Sequence, residues 1–402
     1  MSIKTVAIRS FVLAASSTIA AVAALPVCAD EAPYDIHVVE CLTGPGAFLG
    51  QEEQQALQIL EKVVNQGGGI NGRPLRFVFH DDQSSPQLAV QLTNEVTALH
   101  PPVMLGSSLV GTCNAMAPLV QNGPLMYCFS AGIHPPAGSY VFVSSVSTFD
   151  QGAALVNYFH LKGWTKLALI TSTDATGQDA DRGFEQLLGQ PENKDVKIVD
   201  HEHFNPADVS ITAQIEHVKA SGAQALIGWA VGSPSATIFR EAEQAGLDLP
   251  MGTSGGNMTY AQMQQFAAFL PKELYLPSAL WPTDSDPNPK LTLDPAVTAR
   301  QKEFFAAFAA AGMKPDEGSV LGWDPGSIVV DALRKLGTDA TAAQLRDYLG
   351  HSKGEAGVAG VYDYQKDPQR GLSLDNTIVT RWVPTADRWE VVAKPTGIPL
   401  QQ

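Results

Sequence analysis

From Asp35 onward the chain alternates short apolar runs with segments of helical period, and this alternation limits the possible folds more than any other feature. Asp35 to Glu40 reads as a strand, Leu42 to Gln51 (LTGPGAFLGQ) as a tight loop, and Glu52 to Asn65 as a helix. Ala56, Leu57, Leu60, Val63 and Val64 form one apolar stripe on that helix, which Gly67-Gly68-Gly69 ends. Strand-like Pro74 to His80, helix Leu88 to Leu99, strand Pro102 to Gly106, a helix around Thr112 to Val120 and strand Leu125 to Phe129 follow. Apolar strands separated by helices predict a parallel sheet covered on both faces.

Near Thr148 the pattern starts again. Helix Phe149 to Leu161 leads to strand Lys166 to Thr171, helix Asp179 to Leu188, strand Val196 to His203 and helix Val209 to Ala220. Strand Ala223 to Ala230, helix Pro234 to Ala245 and strand Leu249 to Thr253 complete a second α/β unit. The tail changes style. It carries helices Pro295 to Ala311, Ser319 to Leu336 and Ala342 to Leu349, then strand-like Val358 to Tyr364, Asn376 to Val383 and Trp389 to Val392. Neither unit is closed by its own segment, so the tail is expected to return to both.

The strands end in loops of small polar residues: Thr43 to Gly46, Ser107 to Thr112, Ser130 to Gly132, Thr173 to Gly177 and Thr253 to Asn257. Open α/β sheets hold ligands at the C-terminal ends of their strands, where small residues admit a ligand to the backbone and helix N-termini offer N–H groups. Each loop alone is an ordinary turn. Their spread over both units points to a cleft between two lobes.

The 402 residues and 45% hydrophobic content suffice for two domains, at about 100–200 residues each. The net charge of −15 is scattered along the chain, which argues against nucleic acid or an anionic membrane as partner. Residues 1–29 read as an export signal: Lys4 and Arg9, an apolar run from Ser10 to Leu25, then Val27-Cys28-Ala29 before Asp30. Leu25-Pro26-Val27-Cys28 brushes against a lipoprotein signal, but Val27 is a poor residue before a lipidated cysteine, so an unanchored exported protein is the stronger reading. Export permits a disulfide, and Cys113 with Cys128 is the pair to test first.

No catalytic constellation emerges, and no cofactor is called for. Gly44-x-Gly46-x-x-x-Gly50 is one residue too long for a dinucleotide loop, no phosphate loop is present, and Gly252-Thr253-Ser254-Gly255 is not a nucleophile elbow. Asp81-Asp82 reads as a solvated strand end feeding a helix rather than a metal or acid–base pair. His201 and His203 alternate on one strand face, but no third ligand has sensible spacing, so they read as surface histidines and no metal is expected.

The runs LTGPGAFLGQ, GGGINGRPLRFVFHDDQSSP, MLGSSLVGTCNAMAP, SSVSTFDQGAAL, STDATGQDADRGF, HFNPADVSITAQIEHVKASGAQALIGWA and FREAEQAGLDLP strongly resemble the periplasmic solute-binding proteins of the Leu/Ile/Val-binding type. The resemblance implies a type I periplasmic binding protein: two doubly wound α/β lobes with parallel sheets, joined by a three-strand hinge. It also implies a monomer that closes on a small-molecule solute and delivers it to an inner-membrane ABC permease. The lobes implied are 30–147 with about 278–375, and 148–277 with about 376–402.

Carried over position by position, the ligand-contacting loops fall at Ser108, Val110, Gly111 and Thr112, and at Ser130, Ala131 and Gly132. In the second lobe they fall at Thr148, Thr176, Trp229, Val231 and Ser254. Phe48 joins Trp229 as an apolar wall; Tyr127 is either wall or core. The opening loop, Thr43 to Phe48, is expected to frame and close the pocket. Amino-acid binders of this type usually place an Asp where this chain has Thr148 and a Glu where it has Ser254; Thr176 stands where an aromatic is common. Those carboxylates pair with the ligand's ammonium, so their loss favours a carboxylate-bearing solute without an amine, an aromatic or aliphatic acid. A branched-chain amino acid is the alternative. A sensing component of a signalling system, or an exported enzyme, is a weaker rival of another class.

Overall fold

The computed structural model describes residues 1–2, 32–282 and 291–400. The expected export segment, Cys28 included, lies outside the described residues except for Met1 and Ser2. The first sheet is built from β1 (Tyr34–Glu40), β2 (Leu75–Asp81), β3 (Val103–Leu105), β4 (Leu125–Cys128) and β5 (Val141–Val143). Its order is β2-β1-β3-β4-β5, and every pair is parallel. Helices α1 (Ala47–Gln66), α2 (Pro86–Thr97) and α3 (Val110–Met116) make its crossovers. Helix α4 (Thr148–Leu161) opens the second unit.

The second unit alternates β6 (Lys166–Ser172), α5 (Ala175–Leu188), β7 (Lys197–Phe204), α6 (Thr212–Ala220), β8 (Ala225–Trp229), α7 (Ser233–Gln244), β9 (Met251–Thr253), α8 (Tyr260–Gln265) and β10 (Leu274–Ser278). The tail adds α9 (Pro295–Ala310), α10 (Glu317–Leu336), α11 (Ala342–His351), the small β11 (Lys353–Ala356) and β12 (Val361–Asp363) pair, then β13 (Ile378–Val383), β14 (Arg388–Lys394) and β15 (Ile398–Pro399). The second sheet runs β15-β14-β13-β10-β9-β8-β6-β7. The chain therefore passes between the sheets three times: after β5, after β10, and between β12 and β13.

Several local expectations are revised. The second sheet carries an antiparallel edge beside its parallel strands. A chain returning as a hairpin, here through Pro384–Ala386 with Asp387 in the left-handed region at φ 46°, can pair only antiparallel. Strands β5 and β10 and helix α8 are not in the sequence reading. β5 has only three residues, and β10 holds Pro277, which lacks the N–H a ladder uses. Helix α5 starts at Ala175 rather than Asp179, because the Asp174 side chain accepts from the N–H groups of Thr176 and Gly177, both at 3.1 Å.

The long tail helix α10 is the element that closes the first unit. It lies along α1, and Gly322 and Gly326 make the close approach possible. A methyl group on Gly326 would come 2.7 Å from Leu60 and 2.8 Å from Leu57. One apolar cluster links strands of both sheets with α1 and α10. Among the described residues no helix is long and apolar enough to cross a membrane.

Candidate functional site

The opening loop is fixed by side chains of the next strand. Asp81 accepts from the N–H groups of Leu42 and Thr43 at 3.1 Å each and from the Thr43 hydroxyl at 2.8 Å. The Ser84 hydroxyl donates to the Thr43 carbonyl and accepts from the Gly46 N–H. Held this way, the loop turns its Pro45 carbonyl outward to accept from Ser233 N–H of α7 at 3.1 Å. Gly232 is needed there, since a Cβ would collide with that carbonyl, and its φ of 77° suits glycine. The loop thus joins the two units at one side of a cavity.

That cavity has about 440 Å³ of atom-free space, part of it open to solvent. From the first unit it is lined by Ser108, Leu109 and Val110 at the start of α3, by Phe129 to Gly132 after β4, and by Ser145 after β5. From the second it is lined by Thr148 and Gln151 of α4, Thr176 of α5, Trp229 and Val231 after β8, and Ser254 and Gly256 after β9. Leu49 of α1 and Glu317 and Leu321 of α10 complete it. The initial turns of five helices therefore converge on one space. Their positive dipole ends favour an anionic group there. Helices α4, α5 and α10 carry side-chain caps from Ser147, Asp174 and Asp316; α3, whose N-cap is Leu109, has none.

Ser108, Val110, Ser130, Ala131, Gly132, Thr148, Thr176, Trp229, Val231 and Ser254, all singled out from sequence, meet on this cavity. Phe48, Gly111 and Thr112 do not. Phe48 turns away and packs edge-on against Phe266, centroids 5.7 Å apart. Gly111 faces Pro86 and Ala175. The Thr112 hydroxyl is spent on Ser107 at 3.0 Å and the Leu109 carbonyl at 2.9 Å. Tyr127 is core: it is fully buried, packs on Phe142 and shares a hydrogen bond with the Tyr364 hydroxyl. Phe129 supplies the first-unit aromatic instead. Trp229 is buried edge-on against Phe184, centroids 5.4 Å apart.

Beneath Ser108 lies a nest of acids that sequence reading missed. The Ser108 hydroxyl is 2.5 Å from Glu40 and also within bonding distance of Glu53, and the Cys41 thiol lies 3.3 Å away. Both glutamates are fully buried. One hydroxyl has one proton to donate, so one of the two carboxyls must carry a proton itself. Burial pushes Glu40 up to about 7, with hydrogen bonds from Glu53 and Ser108 pulling the other way. Burial and the neighbouring Glu40 push Glu53 well above the carboxylate range. Asp82 is not solvated as expected. It is fully buried and accepts from the Ser107 hydroxyl at 2.7 Å and Ser84 N–H at 2.8 Å. The expected disulfide, Cys113 to Cys128, ties α3 to β4 beside this nest, with Cα atoms 6.4 Å apart.

Two more residues were invisible from sequence. Glu317 accepts from the Ser278 hydroxyl at 3.2 Å and from the Trp281 indole, and burial pushes it up to about 7. Arg370, also buried, donates to the carbonyls of Ser145 and Ile133 at 2.6 Å each, pinning two loops of the cavity. Its signal was unreadable because its partners lie 225 and 237 residues away. Across the cleft His134 meets Asp179 of α5 at 2.8 Å. Burial alone would raise that carboxyl, but hydrogen bonds from His134, Thr148 and Arg182 hold it below the usual range. Away from the cavity, His201 and His203 acquire the third group that sequence spacing lacked: Asp181, from α5.

A family model described as periplasmic binding protein matches residues 33–374. The Leu/Ile/Val-binding protein homolog 3 of Brucella melitensis is 23% identical over 231 residues, 56% of this chain and 62% of that protein. The chain thus spans about three fifths of the length of the curated relatives it matches. Among solved structures, the Streptococcus pneumoniae branched-chain amino acid transporter substrate binding protein LivJ, in complex with isoleucine, is similar at a TM-score of 0.75 and 20% identity, covering 90% of this chain and 99% of that one. An ABC transporter solute binding protein from R. palustris in complex with benzoate gives a TM-score of 0.74 at 19% identity, covering 91% and 97%. At such identities the likeness is one of fold.

Proposed function

The chain belongs to the periplasmic binding protein family, and from that premise we propose that it captures a small carboxylate-bearing solute without an amine, an aromatic or aliphatic acid, in the periplasm. Two lobes, residues 30–147 with about 278–375 and 148–277 with about 376–402, close on the solute about the three crossing segments. The closed form is handed to an inner-membrane ABC permease. Binding and closure are the mechanism; no bond is made or broken.

One observation carries the choice of solute. Where an ammonium needs a partner, the lining side chains of the second unit, Thr148, Thr176, Ser254 and Gln151, are uncharged, and Asp179 beside Thr148 is already engaged by His134 and Arg182. An ammonium buried there unpaired costs several kcal/mol, a large part of the about −8 kcal/mol that micromolar affinity represents. A carboxylate fits the opposite wall. The uncapped start of α3 at Leu109 and Val110, flanked by the Ser108 and Ser130 hydroxyls, faces the cavity with its dipole. Phe129 and Trp229 provide apolar surface for the rest of the molecule. The benzoate complex of a protein with the same fold agrees with this reading.

A branched-chain amino acid is the second reading, favoured by Glu317, a carboxyl on the cavity wall. Burial pushes Glu317 up to about 7, and Trp281 and Ser278 already occupy one oxygen, so it is a weak partner for an ammonium. Calorimetry on protein freed of co-purified solute by unfolding and refolding separates the two. Benzoate or a short aliphatic acid should bind with micromolar affinity, and leucine, isoleucine and valine at least tenfold more weakly. Tight leucine or valine binding with no response to carboxylic acids sinks the proposal.

A further inference from the structure

We propose that Asp181, His201 and His203 form a binding site for a divalent transition-metal ion of the zinc, nickel or copper type, on the outer face of the second unit. This site is separate from the solute cavity and does not depend on how that cavity is read. His201 and His203 are two residues apart on β7, so both side chains leave the same face of the sheet. Among the described residues β7 is an edge strand, paired only with β6. Helix α5 crosses that face and brings Asp181 over the pair.

The geometry is that of a ligand set. His201 Nε2 lies 3.0 Å from Asp181 Oδ1, His203 Nε2 lies 3.1 Å from Oδ2, and the three ligand atoms all fall within 4.8 Å of one another. In a tetrahedral site with bonds of about 2.0–2.1 Å, neighbouring ligand atoms stand roughly 3.3 Å apart. An ion therefore fits with sub-ångström adjustment of side chains that are partly exposed. The imidazole rings lie alongside each other, centroids 4.5 Å apart, with both Nε2 atoms aimed at one carboxylate. Each then coordinates as the neutral base, with its proton on Nδ1.

The carboxylate is oriented from behind. The Thr171 hydroxyl, fully buried on β6, donates to Asp181 Oδ1 at 2.7 Å. Such outer hydrogen bonds fix a ligand's direction and are worth about 10–100-fold in metal affinity. Two imidazoles and one carboxylate suit borderline ions in the order that favours copper over nickel and zinc, and they do not suit calcium or magnesium, which require more oxygens. Further coordination positions are left to water or to a donor from outside the chain.

The test is calorimetry with Zn²⁺ and Ni²⁺ on untagged, chelator-treated mature protein above the imidazole titration range, with Co²⁺ absorption as a spectroscopic check. One equivalent should bind saturably. His201→Gln and His203→Gln should each weaken binding at least tenfold, and the double variant should abolish it. Thr171→Val should weaken it roughly tenfold or more, because the carboxylate loses its orienting donor. His80→Gln, in the separate His37–His80 pair, should change nothing. Absence of saturable binding by any of these ions overturns the proposal. So does binding that survives the double histidine variant, or binding that His80→Gln removes.

Discussion

On one side of the cavity Ser108 rests on Glu40 and Glu53, two buried acids that share protons, with Asp82 behind them and Glu317 close by on α10. On the other side Trp229, Val231, Thr176 and Ser254 present an apolar and hydroxylic surface backed by Phe184. The first wall is held by hydrogen bonds whose strength depends on protonation. The second is held by packing, which depends on shape. The same space is thus bounded by one surface built on buried acids and one whose Trp229–Phe184 face is built on packing.

The largest effect that sharpens this contrast is expected on the packed wall. Trp229→Ala should cost about 3–5 kcal/mol, the usual range for deleting a buried aromatic, and should abolish solute binding. Urea unfolding should give the same loss at pH 5 and at pH 8. A loss that changes with pH would break the distinction between the walls.

Glu317→Gln tests the other wall. A carboxyl raised from 4.5 to about 7 on folding stabilises the fold fully below its unfolded value and loses that contribution as pH rises through about 7. The rise corresponds to roughly 3 kcal/mol at about 1.4 kcal/mol per pH unit. Glu40 and Glu53 act in the same direction. The native protein should therefore become less stable to urea between pH 5 and pH 8, and the glutamine variant should lose a substantial part of that slope. An unchanged slope would show that Glu317 titrates like an exposed acid.

Ser108→Ala removes the hydroxyl that both Glu40 and Glu53 use. Leaving buried acceptors without their partner costs about 1–3 kcal/mol, read from the urea midpoint. The cost should grow above about pH 7, where Glu40 loses its proton. Asp81→Ala should give the smallest effect, about 1 kcal/mol, because water replaces much of what its half-buried carboxylate offers Leu42 and Thr43. Solute affinity should fall with it, since the loop that reaches Ser233 is loosened. Full affinity in this variant would show that the Pro45 contact contributes nothing to closure.

Much of the architecture was legible because it is written locally. The stripe from Ala56 to Val64 exposes one helix, and the apolar runs from Val103 and Leu125 expose strands, because each pattern has the period of its element. The elements that escaped had weak or contradictory local signals, as Pro277 in β10 and the three residues of β5 show. Legibility of the site followed the same rule. Ser108, Ser130, Thr148, Thr176 and Ser254 sit just past strands or at helix starts, where topology alone puts a ligand cleft. Phe48 was misplaced because the direction of a side chain from α1 depends on what packs there, and Phe266 claims it.

The sequence by itself determined the order of strands and helices, the repetition of one α/β unit after another, and the loops that had to face a common space. Period, turn chemistry and the right-handedness of parallel crossovers are enough for that. Only the tertiary structure decided which distant groups share a proton, a hydrogen bond or a ligand geometry. Glu40 and Ser108 are 68 residues apart, Arg370 and Ser145 are 225 apart, and Asp181 meets His201 and His203 only because α5 folds over the edge of its own sheet. No local pattern encodes such meetings. They follow from how layers pack, and packing brings a chain's remote parts within the few ångströms over which protons and hydrogen bonds act.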